Sequence, residues 1–263
     1  MPGNTPWCGI SSDKLYLQSG EFSATMKTSL ARSNPEGISW DGTNTPWASA
    51  GADKLYLQSG QFSGTLKTSR SVAGIDGNAQ GISWDGTNTP WVGFDSDKLY
   101  LQSGQFSATL KTSRIAAHVT PRGISWDGTD TPWCQSSTGD KLHLQSGQFS
   151  ATMKTSRDVQ TIDSSITDIA WDQTDTPWVG TQSDKLYLQS GQFSGTLKTS
   201  LSVAGVEADP RGIENTNRLA AVGLSAVLNS VASGAHAAEF QAVAYGVGAL
   251  IPVLTMALGK VAG

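Results

Sequence analysis

The chain has 263 residues, of which 18 are basic and 22 acidic, so its formal net charge is −4 at pH 7. A nucleic-acid surface needs a basic patch or stripe, and this balance argues against one. The first residues show no charged region followed by an apolar run. No cleaved secretory signal is therefore expected, and the cellular location stays open.

A Thr-Pro-Trp element recurs five times along most of the chain. Its tryptophans are Trp7, Trp47, Trp91, Trp133 and Trp178, at steps of 40, 44, 42 and 45 residues. This period is typical of the four-stranded blade of a β-propeller. One such blade cannot bury its apolar surface alone, so the copies are expected to stack against each other.

Each copy offers four short strand-like pieces, separated by the Gly, Asn, Asp and Ser residues that favour turns. In the copy that follows residue 80, the predicted strands are 81–84, 89–92, 98–102 and 106–111. The third piece alternates, with Leu99 and Leu101 on one face and Tyr100 on the other. None of the pieces is long enough for a helix.

The two ends of the array are incomplete in a complementary way. The first copy begins directly at Thr5, whereas an extra first piece, residues 211–214, follows the fifth copy. Such a strand completes the N-terminal blade and closes a ring. The sequence therefore predicts an all-β, five-bladed propeller with four-stranded blades over residues 1–217. An open solenoid is the alternative, but open arrays end in atypical capping repeats.

Beyond residue 217 the composition changes completely. Between residues 219 and 259 the only ionisable side chains are His236, Glu239 and Tyr245. Apolar residues recur at helical spacing on both sides of 233–236, which predicts an α-helical apolar hairpin in a second domain, residues 218–263. Three roles remain open: oligomerisation or docking in a larger assembly, insertion into a membrane, and packing within one chain. Residues 242–259 carry no charge, but 18 residues lie at the short limit for crossing a bilayer.

Two patterns resemble known repeat families. The pattern Pro-x-Gly-Ile-x-Trp-Asp-Gly, at 35–42 and 121–128, resembles the opening strand of NHL and SMP-30-like propellers, and the blade count is similar to that of the tachylectin-2-like lectins. Strings of the WDGTNTPW and DKLYLQSGQFS type resemble repeats in uncharacterised proteins of phages and environmental bacteria. The resemblance implies a propeller over residues 4–214 and suggests a virion or a cell-surface assembly as its setting.

Nearly identical copies are expected to present the same surface five times, and repeated weak sites gain avidity on a polyvalent target. Each copy supplies aromatic faces and hydrogen-bonding groups that suit a sugar. The predicted ligand-binding residues are Trp7, Trp47, Trp91, Trp133, Trp178, Tyr56, Tyr100, Tyr187, Asp53, Asp97 and Asp184. The alternative for every aromatic residue is the core between blades. That alternative is favoured for the Trp of Gly-Ile-Ser-Trp, and both stay open for the Trp of Thr-Pro-Trp.

The sequence shows no clear set of catalytic or metal-binding residues. An aspartate follows the first-strand tryptophan in four copies, at Asp41, Asp85, Asp127 and Asp172, with Glu214 near the equivalent place in the fifth. Such a ring could hold calcium, but an Asp-Gly turn is the favoured interpretation. His118, His143 and His236 occupy unrelated places. No nucleophile elbow or phosphate loop is recognisable, so the chain is predicted not to be an enzyme and no cofactor or metal is expected.

The residue after Thr-Pro-Trp is small and apolar in every copy. It is Cys8, Ala48, Val92, Cys134 or Val179. The two cysteines are therefore predicted to be free, buried thiols, in blades that are not neighbours.

Two functions remain. The first is a non-enzymatic, multivalent binding module for glycans on a cell surface, attached to a larger assembly by its apolar tail. The second is a structural or decoration protein of an assembly, such as a phage virion, with no small-molecule ligand.

Overall fold

The computed structural model describes residues 4–20, 25–107, 109–116, 120–136, 139–150 and 152–214. These residues form twenty β-strands in five four-stranded antiparallel sheets, here called blades 1 to 5. Blade 1 takes its inner strand from the C-terminal end of this region, in the order β20-β1-β2-β3. The other blades each use four consecutive strands.

The strand bounds repeat closely from blade to blade. Blade 1 contains β20 (Pro210–Ile213), β1 (Thr5–Gly9), β2 (Lys14–Gln18) and β3 (Met26–Ala31). Blade 2 contains β4 (Pro35–Ile38), β5 (Thr45–Ser49), β6 (Lys54–Gln58) and β7 (Leu66–Ser71). Blade 3 contains β8 (Ala79–Ile82), β9 (Thr89–Gly93), β10 (Lys98–Gln102) and β11 (Leu110–Ile115). Blade 4 contains β12 (Pro121–Ile124), β13 (Thr131–Gln135), β14 (Lys141–Gln145) and β15 (Met153–Asp158). Blade 5 contains β16 (Ile166–Ile169), β17 (Thr176–Gly180), β18 (Lys185–Gln189) and β19 (Leu197–Ser202).

The five inner strands surround the axis of a closed ring. Each contacts the inner strands of the blades before and after it, and β20 contacts both β16 and β4. β20 also pairs antiparallel with β1, with Ile213 opposite Trp7. The predicted closure is confirmed, and the fold is a five-bladed β-propeller.

Both faces of each sheet are buried in the ring, because every blade packs between two others. In β10, Tyr100 lies in an apolar cluster with Leu55 and Leu57 of blade 2. Leu99 and Leu101 point the other way and pack with residues of blade 4. The alternation along this strand therefore separates two interblade cores. The outermost strands, such as β11, are mostly exposed.

The fourth strand of each blade begins later than the sequence pattern predicts. In blade 3 it starts at Leu110, because Phe106 has a φ of 64° and leaves the extended conformation. The ring of Phe106 is buried between blades 2 and 3, and the N–H of Ser107 donates to the carbonyl of Ser103 at 3.2 Å. The Gly-Gln-Phe-Ser tract is therefore a turn anchored by a buried ring.

Glycines allow the inner strands to approach one another. A Cβ on Gly81 would lie 2.6 Å from the carbonyl oxygen of Arg122 and 2.7 Å from the Cα of Gly123 in the next blade. A side chain at this position would therefore displace backbone. Blade 5 has Asp168 at the corresponding position.

Cys8 and Cys134 are buried and free, as predicted. The thiol of Cys8 donates to the carbonyl of Pro35 at 3.6 Å, and the sulfur of Cys134 accepts the N–H of Gly123 at 3.2 Å. Burial raises the pKa of both thiols well above its ordinary value.

The helical hairpin predicted within residues 218–263 lies outside the described residues. Its role in assembly or in a membrane therefore stays a prediction. In the part of the chain that the structure describes, no helix is long and apolar enough to span a bilayer.

Candidate functional site

The Trp of each Thr-Pro-Trp element lies in the second strand of its blade and is buried. Trp7, Trp91, Trp133 and Trp178 have no exposed surface, and Trp47 is 3% exposed. Each ring stacks on the aromatic side chain opposite it in the third strand, with centroids 4.1 to 4.3 Å apart. Four of the five rings thus lie wholly in the core, whereas Trp47 also lines a cleft that is described below.

The Trp of Gly-Ile-Ser-Trp lies differently from the core position expected for it. Trp40, Trp84 and Trp126 are partly exposed, and so is Trp171, which follows Asp-Ile-Ala at the equivalent place in blade 5. In blade 3 the inner strand ends at Ile82, and Ser83 takes the last buried position. Trp84 follows at the start of the turn to β9, where the chain leaves the sheet.

Three connectors between blades carry an acidic residue that caps a tyrosine of the next blade. Asp76 accepts hydrogen bonds from the N–H groups of Asp95 and Ser96, at 3.2 and 3.1 Å, and from the hydroxyl of Tyr100 at 3.4 Å. Asp163 caps Tyr187 and Glu207 caps Tyr16 in the same way. Burial raises the pKa of all three tyrosines.

These three connectors share a length and a pattern. Each has seven residues. The first is Val, the fourth is Ile or Val, and the fifth is Asp or Glu. They occupy 72–78, 159–165 and 203–209. The first valine of each is buried, and Ile75 and Ile162 pack on the neighbouring cores. Each connector thus fills the groove between two blades with apolar side chains and a carboxylate.

The connector between blades 1 and 2 is shorter and leaves the equivalent groove open. Only Arg32, Ser33 and Asn34 separate β3 from β4. A cleft of about 490 Å³ lies here, lined by these three residues and by Trp47, Ser49, Gly51, Ala52, Tyr56, Gly64 and Leu66. We call it the open cleft. Tyr56 is partly exposed in it, whereas Tyr100 and Tyr187 are buried.

Polar groups surround the aromatic floor of the open cleft. The guanidinium of Arg32 donates to the side-chain oxygen of Gln58 at 2.9 Å and to the carbonyls of Ala31 and Gly64. Among the described residues no carboxylate forms an ion pair with it. The hydroxyl of Tyr56 likewise has no hydrogen-bond partner within the described part of the chain.

The predicted aspartates are turn residues. Asp53, Asp97 and Asp184 have φ values of 47°, 53° and 50°. Each backbone carbonyl accepts the N–H of the residue that follows the fourth strand, at 2.8 to 2.9 Å. They support the connectors, and Asp53 does not line the open cleft. The structure therefore brings together Trp47 and Tyr56 of the predicted residues.

The groove between blades 3 and 4 differs from the others. His143 replaces the tyrosine and stacks on Trp133, and a ring nitrogen lies 3.1 Å from the side-chain oxygen of Gln135. Residues 117–119 of the connector lie outside the described residues, as does His236.

Sequence reasoning missed a set of polar residues around the ring axis. The residue before the inner-strand glycine position takes four identities in five blades: Glu36, Gln80, Arg122, Thr167 and Arg211. A column-by-column comparison of the five copies contains this signal, because the next column is glycine in four copies and the one after it is isoleucine in all five.

These side chains interact across blade boundaries. Arg122 donates to the side-chain oxygen of Gln80 at 2.8 Å, and Thr167 to the carbonyl of Pro210 at 3.3 Å. A guanidinium nitrogen of Arg211 lies 3.9 Å from a carboxylate oxygen of Glu36. Burial raises the pKa of Glu36 and lowers that of Arg122. The arrangement ties neighbouring blades together.

Asp168 is a further buried acid near the ring axis. Its carboxyl accepts the N–H of Ile213, from the next blade, at 2.9 Å. Burial, with a smaller contribution from the charge of Glu214, raises the pKa of Asp168 well above its ordinary value.

The aspartates after the inner strands close turns. One oxygen of Asp41 accepts the N–H groups of Thr43 and Asn44 at 2.7 and 2.5 Å, and Asp85, Asp127 and Asp172 repeat this pattern. Glu214 occupies the position of Ser39 and accepts its hydroxyl at 3.0 Å. Within the described residues, no group of three or more His, Cys, Asp or Glu side chains could hold a metal ion.

No protein-family model matches the sequence, and none of the curated proteins does. Among solved structures, the chain is similar to a chain in a nidogen/laminin complex, with a TM-score of 0.55 and 14% identity over 80% of this chain and 83% of that chain. The shared feature is the propeller fold. The glutaminyl cyclase of Myxococcus xanthus gives a TM-score of 0.49 and 12% identity over 75% of this chain and 74% of that chain. The resemblances to NHL and SMP-30-like propellers and to phage repeats stay predictions.

Proposed function

We propose that the chain is a non-enzymatic binding module for a glycan or another cell-surface polymer, with the open cleft as its binding site. The observation that supports this is the missing connector segment. It leaves the stacked pair of Trp47 and Tyr56 beneath a groove that three other blade boundaries fill.

The open cleft has the groups that a sugar-binding site needs. Tyr56 is partly exposed in the cleft and is stacked on Trp47, and an exposed aromatic edge or face suits the C–H groups of a pyranose. Ser49, Asn34 and the Tyr56 hydroxyl are hydrogen-bonding groups at its rim. A volume of about 490 Å³ falls within the range of small-ligand sites.

Avidity then depends on how many rings act together. The grooves that precede blades 1, 3 and 5 are filled by their own connectors, so the repeats do not produce five equal sites. We propose that residues 218–263 bring several rings together in an oligomer, a larger particle or a membrane. Fixed spacing between rings would then supply multivalency.

The test is a glycan array probed with the full chain, followed by titration of any ligand found. The variant Tyr56→Ala should weaken binding at least tenfold without unfolding the ring. The matched control, Trp84→Ala, removes a partly exposed aromatic outside the cleft and should leave binding unchanged. Binding that is insensitive to Tyr56→Ala contradicts the assignment of the cleft. A folded chain that binds no glycan favours the structural or decoration role instead.

A further inference from the structure

The open cleft keeps backbone donors that bind a carboxylate in other grooves. At the boundary between blades 5 and 1, the N–H groups of Ser11 and Ser12 each donate to Glu207 at 3.1 Å. At the boundary between blades 2 and 3, the two residues in these positions donate to Asp76. In blade 2 the same two positions are occupied by Gly51 and Ala52.

The turn that carries these donors has the same geometry in the open and the filled groove. In blade 2 the N–H of Asp53 donates to the carbonyl of Ala50 at 3.2 Å, and in blade 3 that of Asp97 donates to Phe94 at 3.3 Å. The two aspartates have φ values of 47° and 53°. The N–H groups of Gly51 and Ala52 are therefore directed as their counterparts are, but the short connector provides no acid to accept them.

The remaining charges around the open cleft also favour an anion. The hydroxyl of Tyr56 corresponds to that of Tyr100, which donates to Asp76 at 3.4 Å. Arg32 adds a positive charge that no described carboxylate pairs with. Asp13, an acid beside the connector, accepts the N–H of Asn34 at 2.6 Å.

We propose that the open cleft binds the carboxylate of an acidic sugar. The N–H groups of Gly51 and Ala52 and the hydroxyl of Tyr56 donate to it, and Arg32 balances its charge. This inference rests on the proposed function, because it names the class of glycan that the cleft takes. The chain itself supplies the template, since Glu207 and Asp76 occupy the same position in neighbouring grooves.

The variant Asn34→Asp tests this directly. The amide nitrogen of Asn34 lies 2.6 Å from the point that a Cβ on Gly51 would occupy, so an aspartate there places a negative charge at the anion site with little change in shape. Asn78→Asp is the matched control, because Asn78 holds the same position in a connector whose groove is already filled. Thermal unfolding of both variants shows whether they fold, and Arg32→Gln provides a second, partly exposed change.

Binding to the full chain is measured by NMR titration with three probes. They are methyl glucuronide, the neutral methyl glucoside, and N-acetylglycine, a carboxylate without a sugar. We expect the glucuronide to bind at least tenfold more tightly than the glucoside. Asn34→Asp and Arg32→Gln should reduce this preference at least threefold, and Asn78→Asp should preserve it.

The outcomes separate the inference from the proposed function. Equal binding of the two glycosides overturns the carboxylate site and leaves a neutral glycan site standing. Binding of N-acetylglycine alone, weakened by Asn34→Asp, supports the carboxylate site and contradicts the glycan function. No binding of any probe, with the wild-type chain folded, overturns the carboxylate site, whereas a negative glycan array overturns the proposed function.

Discussion

At the residue scale, the filled grooves and the open one differ in whether the tyrosine hydroxyl is hydrogen-bonded. Tyr100 donates to Asp76 and is hydrogen-bonded to Ser96, at 3.4 and 2.8 Å. Tyr56 stacks on its tryptophan in the same way and lines the cleft, but its hydroxyl has no hydrogen-bond partner among the described residues. The same residue type is therefore part of the core at one blade boundary and available to a ligand at another.

This difference predicts unequal costs for the same substitution. Tyr100→Phe removes the hydroxyl that is hydrogen-bonded to Asp76 and Ser96 in the filled groove, so we expect it to lower the free energy of unfolding by about 1 to 2 kcal/mol. Tyr56→Phe removes an unpartnered hydroxyl and should change it by less than about 0.5 kcal/mol. Urea unfolding of both variants measures the difference. Equal losses would contradict the distinction between the two grooves.

Asp168 predicts a pH dependence of stability. The unfolded side chain loses its proton near a pKa of about 3.9, whereas burial raises the pKa of the folded residue. The free energy of unfolding therefore falls as the pH rises from about 4 toward the folded pKa. Asp168→Asn keeps an oxygen for the N–H of Ile213 and should flatten this slope.

Urea unfolding across this pH range measures the slope for the wild type and Asp168→Asn. Glu36→Gln serves as a comparison, because burial also raises the pKa of Glu36. Parallel curves for the wild type and Asp168→Asn would show that Asp168 does not titrate differently in the folded protein.

At the element scale, the connectors determine which grooves are open. The blades themselves are nearly constant, since each brings a tryptophan stacked on a second aromatic side chain to the boundary with the preceding blade. A seven-residue connector with two apolar residues and an acid covers that pair. A connector of three residues reaches the next blade but is too short to cover the stacked pair. Ligand access is therefore a property of connector length and composition.

A connector graft tests this conclusion. Replacing residues 32–34 by the sequence of residues 72–78, together with Ala52→Ser, should fill the open cleft and abolish its ligand binding. The added apolar burial and carboxylate bonds should keep the free energy of unfolding at or above that of the wild type. Calorimetric titration and urea unfolding measure the two effects.

A seven-residue Gly/Ser connector at the same place is the matched control. It has the length of the graft without its apolar and acidic groups, so it should retain part of the binding. Complete loss with the Gly/Ser connector would show that length alone closes the cleft.

At the scale of the whole molecule, the central feature is the closure of the ring. The last described strand, β20, belongs to the first blade and contacts the inner strands of blades 5 and 2. It contributes Ile213 to the core around Trp7, and Arg211 approaches Glu36 across the closure. The five blades and their cores are thus complete by residue 214.

Two truncations separate the ring from the apolar tail. Removing residues 218–263 leaves all twenty described strands, so we expect a soluble, folded monomer with a cooperative unfolding transition. Removing residues 210–263 also deletes β20 and should prevent stable folding, since blade 1 then exposes its inner edge and the core around Trp7. Circular dichroism and size-exclusion chromatography distinguish these outcomes. Aggregation of the first fragment would contradict a two-part organisation.

The sequence by itself determined the repeat architecture. The spacing of Thr-Pro-Trp gives five blades, and the complementary ends give the closing strand, because both follow from periodicity. It also contained the signal for the open cleft. The step from Trp7 to Trp47 is the shortest of the four, although its meaning depends on what the longer connectors do.

Only the tertiary structure decided which repeated residues are accessible. Local sequence is nearly the same around Tyr56 and Tyr100, so it cannot show that one is capped and the other is not. It also does not separate the buried Trp91 from the partly exposed Trp84, because their burial depends on where a strand ends and what the next blade covers. Access to a side chain is set by packing between blades, and that packing joins residues far apart in the chain.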